Sequence, residues 1–250
     1  MKSLDIENLK ELRKEDNFNF NCDGCGTCCS NRNDILLRPY EIPFILKELE
    51  IDSKTFISKY CDVYVGSESK IPLISIKFRK KYHLNNMEVC PFLKFASCSI
   101  HKVKPSVCAL YPLGRYISFP KKDADKNSES DRKIHYFVQN ISCGNKTNKG
   151  NKMTLSKWLR KRNLEQTEDL FIQNSVFLEN YHKLVSQVDF ENLTEETSDL
   201  FFNSIAGILY SELHNVDIDN LYNVMKKRYD AILEITSVFV DMYKELQEAN

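Results

Sequence analysis

Four cysteines fall within eight residues near the start of this chain, in the order CxxCxxCC. They are Cys22, Cys25, Cys28 and Cys29. Thiolates two residues apart can converge on one metal centre, because the tight turn between them directs both sulfurs inward. The glycines inside the cluster suit such turns, since glycine adopts a positive φ without strain and lets backbone N–H groups approach sulfur. The cluster therefore predicts metal binding.

Four more cysteines follow at wider spacing, so the chain offers eight candidate metal ligands. The further four are Cys90, Cys98, Cys108 and Cys143. Eight thiolates are enough for two sites of four ligands each. The ninth cysteine, Cys61, has no neighbouring cysteine, and we interpret it as a buried apolar side chain, because free cysteine packs well in protein cores.

The order of the cysteines favours an iron–sulfur cluster. Three cysteines at two-residue spacing and a distant Cys-Pro pair are typical of bacterial 4Fe-4S ferredoxins. That order predicts two ligand sets, Cys22, Cys25, Cys28 and Cys90 in one and Cys29, Cys98, Cys108 and Cys143 in the other. Cys28 and Cys29 are adjacent, so we expect them to serve different centres. Other partitions also fit the sequence, and zinc, which binds the same thiolates at about 2.3 Å, is the alternative metal.

Other catalytic or binding motifs are missing from the sequence. His101 follows Cys98 at a ligand spacing, which leaves it open as a further ligand, although a lone histidine more often has no such role. The seven glycines form no GxGxxG pattern and no phosphate-binding loop. No HExxH or GxSxG sequence occurs either.

Composition is that of an ordinary globular protein, with 42% hydrophobic and 28% charged residues among 250. No apolar run approaches the roughly 20 residues that span a bilayer, and the start of the sequence lacks the apolar stretch of a secretory signal. We therefore expect no membrane partner and a cytoplasmic location, where thiols stay reduced and a cysteine cluster favours metal over disulfides.

Charge divides the chain into two halves. Residues 1–150 hold all nine cysteines and carry 25 Lys/Arg against 18 Asp/Glu, whereas residues 151–250 carry 10 against 17. A basic, cysteine-rich half is compatible with nucleic-acid binding. We do not favour that partner, because the basic residues are dispersed and nearby cations also offset the charge of metal-bound thiolates.

The pattern of apolar residues predicts an α+β fold with two domains. Residues 1–150 form an irregular, metal-held domain with short strands and helices, and residues 151–250 form an α-helical region. The predicted helices are 4–14, 39–50, 52–60, 155–159, 164–188, 200–213 and 221–246. The predicted strands are 35–37, 71–78 and 134–141. Pro39 suits the start of helix 39–50, and Asp52 or Ser53 is placed to cap helix 52–60. Polar residues 121–132 indicate a loop and 144–150 a linker, and Asn192 with Glu195 resembles a helix N-cap.

The ordered cysteines resemble those of the YkgJ-type CxxCxxCC cysteine cluster family, whose members are described as zinc- or iron-chelating proteins. The resemblance covers about residues 18–145 and rests on the CxxCxxCC cluster, Cys90-Pro91-Phe92-Leu93, Cys98-Ser99-Ile100-His101, Cys108 and Tyr111-Pro112. That family usually has an aromatic residue at the position of His101 and arginine at those of Lys104 and Ala109. A related cysteine motif occurs in flagellin lysine methylases.

Three functions follow from these observations. The favoured one is a metal-binding protein with one or two Cys-ligated centres, iron–sulfur first, in a redox or protein-modifying system. The second is a zinc-stabilised interaction module without catalysis. The third is a metal-dependent protein-modifying enzyme similar to a lysine methylase. Each leaves room for a protein partner or a protein substrate.

Overall fold

The computed structural model describes residues 10–20, 26–32, 35–81, 87–95, 97–119, 132–139 and 152–248. Twelve short strands lie in this part of the chain: β1 (Glu11–Leu12), β2 (Asn17–Asn19), β3 (Leu36–Leu37), β4 (Cys61–Val65), β5 (Pro72–Ile76), β6 (Arg79–Lys81), β7 (Met87–Val89), β8 (Leu93–Lys94), β9 (Ser97–Cys98), β10 (Leu113–Ser118), β11 (Lys133–Val138) and β12 (Lys152–Thr154). Seven α-helices accompany them: α1 (Ile42–Leu49), α2 (Ser53–Tyr60), α3 (Ser106–Leu110), α4 (Leu155–Lys161), α5 (Glu168–Val185), α6 (Glu195–Tyr210) and α7 (Leu221–Glu248). The predicted α+β class, with helices gathered toward the C-terminus, is confirmed.

The strands form five small antiparallel sheets. Two sheets have three strands, in the orders β1-β11-β10 and β3-β5-β4. The other three are pairs: β2 with β12, β6 with β7, and β8 with β9. Sheets this small cannot bury a core alone, so each depends on helices or loops that pack against it.

The larger of two apolar cores joins the early and late parts of the chain. Sheet β3-β5-β4 and helices α1 and α2 pack against α5, α6 and α7, so that Ile42, Ile74, Phe177, Ile205 and Ile232 share one cluster. Tyr210 on α6 donates its hydroxyl to the carbonyl of Pro72 at 3.0 Å, which ties that helix to β5. The predicted domain boundary, between residues 150 and 151, lies outside the described residues.

The smaller core is built around Trp158 on α4. Its indole contacts Phe18 and Phe20 edge-on, with ring centroids 5.6 and 5.8 Å apart. The indole N–H donates to the carbonyl of Leu110 at 3.1 Å. The core thus connects β2 to α4 and to the end of α3.

Several local predictions are confirmed. Asp52 caps α2, because its carboxylate accepts a hydrogen bond from the backbone N–H of Thr55 at 2.8 Å. Pro39 begins a 3₁₀ turn that continues directly into α1. The predicted strands 35–37, 71–78 and 134–141 correspond to β3, β5 and β11. The predicted loop 121–132, apart from its last residue, and the linker 144–150 lie outside the described residues.

Two local predictions are wrong. Residues 11 and 12 of the predicted helix 4–14 form strand β1, because they pair with Phe137 and Tyr136 of β11. Asn192 does not cap α6 but ends a 3₁₀ turn, Phe190–Asn192. The cap is Thr194, whose hydroxyl accepts from the backbone N–H of Thr197 at 3.2 Å.

Among the described residues, no helix combines the length and the apolar character needed to cross a membrane.

Candidate metal centre

Five of the predicted ligands line one cavity of about 70 Å³, called the cysteine cavity below. These are Cys28, Cys29, Cys90, Cys98 and Cys108. They arrive from four separate elements: a 3₁₀ turn (Thr27–Cys29), the residue after β7, the end of β9 and the middle of α3. The other three predicted ligands, Cys22, Cys25 and Cys143, lie outside the described residues.

Backbone hydrogen bonds bring the 3₁₀ turn to Cys90. The Cys90 N–H donates to the carbonyl of Cys29 at 2.9 Å. Ser30, which follows Cys29, and Val89, which precedes Cys90, form an antiparallel bridge. Gly26 opens the turn with a φ of +72°, a conformation that favours glycine, and its carbonyl accepts from the Cys29 N–H at 2.9 Å. The sequence thus builds this wall of the cavity with a glycine turn and one short backbone ladder.

A hairpin and a short helix supply the other two thiols. Cys98 pairs with Leu93 across β8 and β9, and the Ser99 N–H donates to the carbonyl of Phe92 at 2.8 Å. Cys108 enters through α3, where its N–H donates to the carbonyl of Pro105 at 2.9 Å. Because a helix begins right after Pro105, the chain turns back and presents Cys108 to the cavity.

Cys28 and Cys29 lie on the same side of the turn, with their Sγ atoms 3.8 Å apart. Two thiolates bound to one tetrahedral ion at about 2.3 Å would have sulfurs about 3.8 Å apart. This separation would let both thiolates bind one ion, and how the cysteines divide between centres stays a prediction. Within the described part of the chain, no three Cys, His, Asp or Glu side chains are arranged to hold one ion. A full ligand set would therefore draw on further cysteines.

The thiols have strongly perturbed pKa values. The hydrogen bond from Cys29 lowers the pKa of Cys28 to about 6, helped by the cations of Arg32 and Lys104. The same interaction, together with burial, raises the pKa of Cys29. Burial raises the pKa of Cys90 to about 11, and it raises that of Cys98 as well.

Burial also raises the pKa of Cys108 to about 12, and neighbouring Cys90 adds to the increase. Every one of the five thiols is thus influenced by another of the five. Burial of this kind disfavours an isolated thiolate, and a bound cation reverses that preference because it deprotonates the sulfur that ligates it. The donor set therefore fits a thiophilic metal.

The rest of the cavity wall is mainly apolar, with two cations. Its apolar side chains include Ile35, Ile76, Phe92 and Ile100. Arg32 and Lys104 are the charged side chains that line it among the described residues. Sequence reasoning missed Arg32, although its place three residues after Cys29 is a signal for a cation close to the cluster.

Cys61 and His101 do not line this cavity. Cys61 begins β4 with 6% of its surface exposed and packs in the larger core, which confirms its interpretation as a buried apolar side chain. Burial raises the pKa of its thiol to about 12. His101 is exposed, and its Nε2 accepts a hydrogen bond from the Arg162 guanidinium at 3.1 Å.

Comparison with known proteins agrees with this site. Residues 21–140 match the family described as "CxxCxxCC: Putative zinc- or iron-chelating domain". No curated protein and no solved structure matches the chain. The matched segment contains the CxxCxxCC cluster and the cysteines at 90, 98 and 108, so it includes every thiol that lines the cavity. The resemblance seen in the sequence is therefore confirmed: residues 21–140 match the model of the CxxCxxCC family.

Proposed function

We propose that this protein binds zinc or iron at the cysteine cavity, with Cys28 and Cys29 on the same ion. The observation that carries the proposal is the convergence of five thiols from four elements on one cavity of about 70 Å³. Free cysteines that pack only as apolar side chains have no reason to gather in this way, as Cys61 illustrates from its place in the larger core. Thiolate ligands suit both zinc and iron.

The separation of 3.8 Å between the Sγ atoms of Cys28 and Cys29 favours a mononuclear ion. In a 4Fe-4S cluster held by four cysteines, each iron takes one thiolate, so adjacent cysteines would not share an iron. The remaining ligands would have to include the predicted ligands Cys22, Cys25 or Cys143, because among the described residues no three such side chains are arranged to hold one ion. Eight thiolates in total allow a second centre beside the first.

An iron–sulfur cluster is the second candidate. It is supported by the order of the cysteines, because Cys22, Cys25, Cys28 and the Cys90-Pro91 pair follow the ferredoxin pattern. Such a cluster would give the protein a redox role, on its own or within a protein-modifying system. A mononuclear zinc would instead stabilise an interaction module that docks a protein partner.

Anaerobic purification followed by metal and sulfide analysis tests these candidates together. Zinc or iron without sulfide is expected from a mononuclear centre, and iron with equimolar sulfide and a brown colour is expected from a cluster. Protein that contains neither metal, and takes up neither when supplied under reducing conditions, would overturn the proposal.

Cysteine variants test where the metal binds. Cys29→Ser and Cys25→Ser should lose metal, whereas Cys61→Ser, the matched control in the larger core, should keep the wild-type content. Far-UV circular dichroism, whose helical signal comes mainly from α5, α6 and α7, shows whether each variant still folds. A folded Cys29→Ser protein with full metal content would contradict the assignment of the cysteine cavity.

A further inference from the structure

The cysteine cavity pairs its thiols with only two cations among the described residues, Arg32 and Lys104. A divalent ion with four thiolate ligands carries two negative charges in excess. The surrounding Ile35, Ile76 and Phe92 are buried or half-buried apolar side chains, which limit how far water can solvate that excess. Two cationic side chains on the wall match the two excess charges.

Lys104 is held in place by the segment that carries the ligands. It ends a 3₁₀ turn (His101–Val103) and precedes Pro105, which begins the approach to α3 and Cys108. The same turn carries Lys102, whose side chain lines a separate groove of about 600 Å³ and does not line the cysteine cavity. Lys104 lines both spaces, so it forms part of the wall between them.

We propose that Lys104, together with Arg32, balances the negative charge of the metal-bound thiolates and thereby sets the metal affinity of the centre. This inference rests on the proposed function, and it adds two positioning residues that touch neither the metal nor a substrate. Charges in a partly buried site interact more strongly than in water, because the effective dielectric constant is lower. The loss of one cation should therefore weaken metal binding even though every ligand remains.

The position of the two cations supports the inference. Lys104 and Arg32 line the same cavity as Cys28, Cys98 and Cys108, which come from three different elements.

The test is a zinc titration of the reduced full-length chain against a competing chelator. Lys104→Gln should weaken zinc binding about tenfold, and Lys104→Glu should weaken it further. Lys104→Arg should restore wild-type affinity, because it keeps the charge. The matched control, Lys102→Gln, removes a cation from the same turn and should leave the affinity unchanged.

A purely structural role for Lys104 would give a different result. It would lower the unfolding midpoint of the metal-free protein, and affinity would not follow the order Arg, Lys, Gln, Glu. Equal affinity of wild type, Lys104→Gln and Lys104→Glu would overturn the inference while the proposed function stands. A loss in Lys102→Gln as large as that in Lys104→Gln would also overturn it. A wild-type chain that binds no metal would overturn the proposed function itself, and this inference with it.

Discussion

The larger core and the cysteine cavity are stabilised in different ways. In the core, long helices bury aromatic rings against one another, as where Phe177 on α5 stacks on Tyr229 of α7 with ring centroids 4.3 Å apart. Around the cavity, strands of two or three residues and a five-residue helix are joined by turns. Burial of apolar surface stabilises the core directly. The segments around the cavity have little regular structure, and on the proposed function a metal ion would hold their thiols together.

Metal removal should separate the two regions most strongly. Structural zinc contributes about 10 kcal/mol or more to folding in small peptides, so its loss should unfold the segments around the cavity. We expect amide hydrogen exchange to accelerate in 26–32 and 87–110 after chelation, while α5 and α7 keep their protection. Equal loss of protection in both regions would show that they form one cooperative unit.

A large-to-small substitution in the larger core should lower stability without changing the metal content. Phe177→Ala removes a ring that is 3% exposed and should lower the free energy of unfolding by about 3–5 kcal/mol. Metal content, measured in the folded protein, should stay at the wild-type value. Leu178→Ala is the control, because that side chain is 37% exposed and its loss should cost less than about 1 kcal/mol. A Phe177→Ala protein that folds but lacks metal would show that the larger core and the cysteine cavity are not stabilised independently.

Variants of Cys61 test whether a cysteine in the larger core acts differently from the cysteines that line the cavity. Cys61→Ser places a hydroxyl in the core and should lower the free energy of unfolding by about 1–3 kcal/mol, with metal content unchanged. Cys61→Ala lacks that hydroxyl and should cost less. Chemical denaturation of both variants measures the difference. A greater loss of stability in Cys61→Ala than in Cys61→Ser would mean that position 61 needs a polar group, which contradicts its role as a buried apolar side chain.

The smallest effect concerns the start of α6. Thr194→Ala removes the hydroxyl that accepts from the Thr197 N–H and should cost about 1 kcal/mol. Asn192→Ala, at the residue that sequence alone suggested as the cap, should cost a few tenths of a kcal/mol, because its exposed side chain bonds only Asp189. Denaturation midpoints that rank the two variants the other way would favour the original cap.

Local signals in the sequence predicted much of the helical part. Asp52 caps α2 as expected, because capping depends on residues three apart along the chain. Strand β1 could not be predicted in this way, because its partner β11 lies more than a hundred residues further on. Tertiary pairing outweighed the helical spacing of Leu9 and Leu12.

The convergence of distant cysteines on one cavity follows from their order in the sequence, but their directions could not be predicted. The expectation that Cys28 and Cys29 face different centres rests on the view that adjacent residues are poorly placed to serve one tetrahedral ion. In the 3₁₀ turn, successive side chains are only about a third of a turn apart, so both thiols reach the same cavity. Residues 21–140 match the family described as a "Putative zinc- or iron-chelating domain", in agreement with the prediction from the sequence.

The pairing of β2 with β12 has a consequence for the whole cysteine-rich segment. Asn19 lies opposite Lys152 in this ladder, and all nine cysteines fall between those two positions in the chain. The ladder and the contacts of Trp158 with Phe18 and Phe20 therefore close a loop of roughly 130 residues, at an entropic cost of about 4 kcal/mol. Because these contacts do not involve the cysteines, the closed loop would raise the effective concentration of the distant thiols for one another.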